Sequence, residues 1–125
     1  MNKVMISVLA VVVLCGGFFL VRSHEEREKG ITQSRIQKSV EYWESVLNTE
    51  LPAGTAERMV QEWGERRQIQ LGWSSNTSTY HGNVDKIPDT GFGFPCSEWH
   101  VLIDIVLGKD GAVVGHKVHS AGDCL

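Results

Sequence analysis

Trp99-His-Val-Leu-Ile-Asp-Ile-Val-Leu107, followed by Gly108-Lys-Asp-Gly111 and Ala112-Val-Val-Gly-His-Lys-Val-His-Ser120, is the stretch that decides the fold. Two runs rich in β-branched and aliphatic residues around a Lys-Asp-Gly turn read as a β-hairpin. With Leu107 facing Ala112, the residues Trp99, Val101, Ile103, Ile105 and Leu107 share a face with Ala112, Val114, His116 and Val118. The alternative is a three-residue loop, Lys109 to Gly111, with Gly111 left-handed. It slips the pairing by one and sets Lys117 and His119 opposite core residues. The first register is expected, because one face of the hairpin must be buried.

Extending either register outward brings Cys96 near Cys124 at the open end of the hairpin. A disulfide there closes a 29-residue segment, and the chain-entropy relation makes it worth about 3–4 kcal/mol. No C-x-x-C spacing is present, so a structural bridge is expected in place of a redox or metal-binding thiol pair. Disulfides persist outside the cytoplasm, so the pair also points to an extracytoplasmic domain.

The N-terminus agrees with that placement. The uncharged run 4–21, beginning at Val4 and ending at Val21, holds eighteen residues. As a helix it reaches about 27 Å, close to the roughly 30 Å hydrocarbon thickness of a bilayer. No small-residue cleavage site follows it at Arg22-Ser23-His24, which favours an uncleaved membrane anchor. The alternative is a lipoprotein anchored at Cys15, which Gly16 and Gly17 follow but Leu14 precedes where a small residue is usual. Lys3 favours a cytoplasmic N-terminus while Arg22, Arg27 and Lys29 oppose it, so the cysteines decide the orientation. The expected location is therefore the bacterial inner membrane, single-pass, with the C-terminal domain in the periplasm.

Between anchor and hairpin, residues 23–30 read as a charged linker or a solvated helix start. From Thr32 to Asn48, Ile36, Val40, Trp43 and Leu47 form one apolar stripe of an amphipathic helix, which Pro52 ends. A second helix follows with Thr55 as N-cap and Met59, Val60 and Trp63 as its buried side, loosening at Gly64. Ile69, Leu71 and Trp73 alternate as a strand, Tyr80 to Ile87 form another, and residues 89–95 form a loop carrying Phe92 and Phe94. The four tryptophans, Trp43, Trp63, Trp73 and Trp99, each occupy an apolar phase of their element and are expected in the core. The fold class is α+β: an anchor helix, then two helices packed on a three- or four-stranded antiparallel sheet ending in a C-terminal β-hairpin. The division is 1–22 anchor, 23–30 linker and 31–125 folded domain.

Composition narrows the function. Of twelve Lys/Arg in the chain, Lys3 and Arg22 flank the anchor, leaving ten against fifteen Asp/Glu in residues 24–125, a net charge of -5. Such an acidic domain suits neither nucleic acid nor anionic lipid headgroups. No G-x-S-x-G or comparable catalytic motif occurs, so no enzymatic activity and no cofactor are expected. In the preferred register His100 lies opposite His119 on the outer sheet face, with Asp104 on the same face and Lys117 diagonal to it. His100 and Asp104 are four residues apart, about 13 Å along a strand, too far for one ion. His116 and His119 fall on opposite faces. The outer-face residues His100, Asp104, Lys117 and His119, with Phe92 and Phe94 on the glycine-rich loop, are the expected contact surface for a macromolecular partner.

A family resemblance follows from two short motifs. Leu51-Pro-Ala-Gly54-Thr55 with Val60 and Trp63-Gly64 resembles the opening of the BamE (SmpA/OmlA) type of small bacterial envelope domain. Val106-Leu107-Gly-Lys-Asp110-Gly111-Ala-Val113 is similar to the final hairpin of such domains. Together they span about residues 51–118, and the Gly-x-Pro usual after the second helix is absent around Gly64. The resemblance implies a shared scaffold and, by analogy, a role in envelope assembly through another envelope protein. The other roles compatible with these residues are a periplasmic immunity or inhibitor protein and a metal-binding or hydrolytic domain using the C-terminal histidines. The sequence leaves the oligomeric state open.

Overall fold

The structure, a computed structural model, describes residues 3–89 and 96–124. Phe92 and Phe94 lie outside the described residues. The chain is α+β. A long helix α1 (Lys3–Glu50) precedes a short helix α2 (Glu57–Arg66) and four strands, β1 (Leu71–Ser74), β2 (Thr79–Pro88), β3 (Cys96–Leu107) and β4 (Val113–Cys124). The strands form one antiparallel sheet in the order β1-β2-β3-β4.

Residues 23–30 and the stripe from Thr32 onward belong to one helix, which at 48 residues is about 72 Å long. The helix start, not the extended linker, is what the charged segment forms. Arg22 and Glu26 pair one turn apart at 3.5 Å, a spacing that supports a helix having no apolar face to bury. Burial begins at Thr32 and Ile36. The span Val8–Glu50 includes a stretch long and apolar enough to cross a membrane, with its apolar side chains outward.

The core gathers Ile36 and Leu47 from α1, Leu51 just after it, Val60 and Trp63 of α2, Val101, Ile103, Ile105 and Leu107 of β3, and Val113 and Val118 of β4. Two expected members are absent: Met59 is 51% and Trp73 48% exposed. The buried side of α2 is Val60, Trp63 and Gly64, a one-turn stripe from which Met59 is rotated by about 100°. Trp73 sits on the edge strand and covers only Tyr80, the ring centroids being 4.8 Å apart. Trp43 and Trp99 are partly buried against the core.

The expected Thr55 cap does not form. The N-cap of α2 is Ala56, without a side-chain hydrogen bond. Thr55 instead accepts a backbone bond from Val113, while Gly54 donates to Val113 and Glu57 to Gly111. These bonds clip the start of α2 to the hairpin tip. Nor does α2 loosen at Gly64: a Cβ there would meet Leu71 Cδ1 at 2.8 Å, so the missing side chain lets helix and strand approach.

The register departs from the preferred one. At the tip Gly108 donates to the Ala112 carbonyl and Gly111 has φ +75°, which is the three-residue loop. Through the body, however, Ile103 faces Val118 and Asp104 faces Lys117. Val114, 59% exposed, is the extra residue that makes the change, while Val113 takes the buried place expected of Val114. The turn needs a glycine with positive φ and the sheet needs its apolar face inward; a bulge satisfies both. A second irregularity at Ser97 restores the count, so Cys96 lies directly opposite Cys124 and the two are bridged.

One cluster ties the helices together. Trp63 Nε1 donates to Glu50 Oε2 at 2.5 Å, Arg67 Nε donates to the same oxygen at 2.8 Å, and an Arg67 terminal nitrogen pairs with Glu50 Oε1. Arg67 hydrogen bonds hold the Glu50 carboxyl below its ordinary value, more than burial raises it, and the Trp63 bond adds to the lowering. The same pair holds the Arg67 guanidinium more firmly protonated than usual. A lowered folded-state pKa contributes stability that is present above the unfolded value, about 4.3, and is lost as pH falls through the folded one. The urea midpoint of the wild type should therefore fall below about pH 4.3, and Glu50→Gln should flatten that acid limb. Identical acid limbs would show that the carboxylate is uncoupled from folding. Glu50→Ala, leaving the Trp63 N–H without its acceptor, should cost about 1–3 kcal/mol at neutral pH.

Candidate interaction surface on the outer sheet face

Strand alternation sends odd-numbered residues of β3 into the core and even-numbered ones outward. The outer face of β3 thus carries Glu98, His100, Leu102, Asp104 and Val106. Opposite them on β4 stand Asp123, Ala121, His119, Lys117 and Gly115, and on β2 stand Pro88, Lys86, Asn83, His81 and Thr79. The C-terminal part of α1 lies over the other face, where Ser39 donates to Asp85 at 2.6 Å and Asn48 Oδ1 meets His116 Nε2 at 2.9 Å.

His100, Asp104, Lys117 and His119 all lie on the outer face, with different neighbours from those expected. His100 faces Ala121, His119 faces Leu102, and Asp104 faces Lys117 directly. The two-residue slide separates His100 from His119 and brings His119 to Asp104, with Nδ1 3.7 Å from Oδ2. On its other side Asp104 accepts a hydrogen bond from His81 Nδ1 at 2.6 Å. One carboxylate therefore stands between two imidazoles drawn from three strands.

The floor beside this trio is a groove of about 440 Å³ lined by Gln70, His81, Asn83, Leu102, Asp104 and His119. His119 Nδ1 is buried and makes no hydrogen bond within the described residues. The Asp104 carboxylate, 3.7 Å away, is the polar group nearest to it that pairs with it.

Nearer the disulfide, His100 Nδ1 lies 2.7 Å from Asn83 Nδ2 and its Nε2 lies 3.2 Å from Glu98 Oε1, which Lys86 Nζ also approaches at 3.1 Å. His81, Asn83, Lys86, Glu98 and Asp123 were not among the expected surface residues. Their signal was the polar alternation His81, Asn83 in a strand whose pairing with β3 the sequence did not reveal. A bulge at residue 84 changes which residues face out, so Lys86 joins the face that parity from His81 would deny it.

Comparison with protein-family models, curated proteins and solved structures finds no match for this chain. The reading of the site therefore rests on its own chemistry.

Proposed function

We propose that this is a single-pass, membrane-anchored envelope protein whose folded domain lies in the periplasm and binds another envelope macromolecule, without catalysis, through the outer sheet face. In this reading the C-terminal half of α1 and α2 form the layer that closes the inner face, and the β3–β4 hairpin ends the fold as in the BamE-type scaffold it resembles. The apolar N-terminal helix and the Cys96–Cys124 bridge support the location.

The observation that carries the binding role is the outer-face groove in which one carboxylate, Asp104, stands between His81 and His119 beside Leu102. A partner seated there meets a polar cluster flanking an apolar contact. Such a combination fixes register and rejects partners that leave the polar groups unmatched.

Photocrosslinking in intact membranes tests this. A benzophenone side chain placed at His81 or Lys117 should give one discrete adduct, and the same group at Glu44 or Arg58, exposed on the helices, should not. The same adduct from all four positions, or none from the outer-face pair, would refute the assignment.

A further inference from the structure

We propose that Glu98, His100 and Asp123 form a zinc site at the base of the β3–β4 ladder. The proposed ligands use none of His81, Asp104 or His119, and the two sites share only Asn83, which lines the groove and also contacts His100. Glu98 and Asp123 are directly opposed in register and His100 follows on the same face. One ligand atom from each lies within 4.8 Å of the other two.

Like charges directly opposed across an antiparallel pair repel, and here the chain holds them together. The disulfide pins the strands one position beyond the two carboxylates, with Cys96 opposite Cys124. Glu98 and His100 have side chains only 27% and 26% exposed, so their geometry is constrained before any ion arrives. Metal–ligand bonds of about 2.1 Å place the ligand atoms of a tetrahedral site about 3.4 Å apart. His100 Nε2 and Glu98 Oε1 stand 3.2 Å apart already, and the more exposed Asp123 closes the rest by side-chain rotation.

The donor set selects the ion. One imidazole with two carboxylates suits zinc, whereas calcium requires six to eight oxygens. Asn83 supplies the orientation that such an imidazole needs. Asn83 Nδ2 faces His100 Nδ1; a half-turn of the amide on zinc binding brings Oδ1 there to accept the Nδ1 proton and leaves the Nε2 lone pair facing the carboxylates. Lys86 is the resident competitor: its ammonium sits 3.1 Å from Glu98 Oε1, on a side chain 62% exposed that can swing into water.

The test is a zinc titration, against a chromophoric chelator, of the full-length, untagged, disulfide-intact protein in detergent. One zinc should bind per chain. His100→Ala and Asp123→Asn should abolish binding, and Asn83→Leu should weaken it about 10- to 100-fold. Lys86→Met should tighten it about two- to fivefold, the size of the exposed ion pair it removes. Misfolding cannot mimic that gain. His81→Ala/His119→Ala should bind zinc as the wild type does. Absence of saturable one-to-one binding, binding that survives His100→Ala, unchanged or weaker affinity in Lys86→Met, or loss in His81→Ala/His119→Ala would each overturn the site.

Discussion

Trp63→Ala should destabilise the folded domain by about 3–5 kcal/mol, the largest effect expected of any single side-chain truncation here. Trp63 is the largest fully buried side chain. It is also the point where α2 meets the end of α1, since its Nε1 donates to Glu50 and the Arg67 guanidinium lies 5.9 Å from its ring centroid. Truncation removes the ring from a core shared with Val60, Leu51 and Leu47. The backbone cannot collapse to fill that space, because the start of α2 is clipped to the hairpin tip through Gly54, Thr55 and Glu57. Small domains hold only about 5–15 kcal/mol in total, so the variant should lose a large share of its stability, read as a steep fall in urea midpoint. Trp63→Phe separates the contributions. It keeps most of the apolar volume and loses the N–H bond, and should cost about 1–3 kcal/mol. Near-ultraviolet circular dichroism of the full chain in detergent reads the transition without interference from the apolar N-terminal helix. A loss below about 1 kcal/mol for Trp63→Ala would mean that this ring does not sit in the core.

The hairpin shows what the sequence could and could not reveal. Apolar alternation identified both strands, the inward residues of β3 and the neighbouring cysteines, because burial of one face is a constraint with period two. The pairing differs from the expected one by two positions, because a bulge reconciles the turn's chemistry with burial of one face. A single inserted residue leaves little trace in composition, and Val114 is as apolar as the Val113 that replaces it in the core. The outer-face constellation suffered most: each side chain stayed on its face, but its neighbours changed. The opposition of Glu98 to Asp123 and the approach of His81 to Asp104 follow from a bulge near each end of β3–β4 and from the β2 register. Helix reading failed in a different way. Periodicity detects an apolar stripe, and the charged sequence of residues 23–30 has none, so a linker and a helix start read alike there.

Removing the disulfide should cost almost as much as removing Trp63, and its dependence on redox state makes it the sharper experiment. Cys96 and Cys124 are 28 residues apart in sequence, so the bridge restrains the unfolded chain by about 3–4 kcal/mol in the chain-entropy relation. The two irregularities of the ladder bring the cysteines opposite one another. Gly122 makes room beside them: a Cβ there would meet Cys124 Sγ at 2.8 Å, Cys96 Sγ at 3.1 Å and Trp99 at 3.2 Å. Cys96→Ser should therefore lower the urea midpoint strongly under oxidising conditions and leave it unchanged, relative to reduced wild type, under reducing ones. Alkylation in a denaturing detergent of wild-type protein extracted without reductant should modify one thiol per chain, Cys15, and leave the bridge intact. Three modified thiols would remove both the stabilising cross-link and the argument for a periplasmic domain. The strands near Glu98 and Asp123 would then be free to splay, and the zinc site would lose the clamp that holds its carboxylates together.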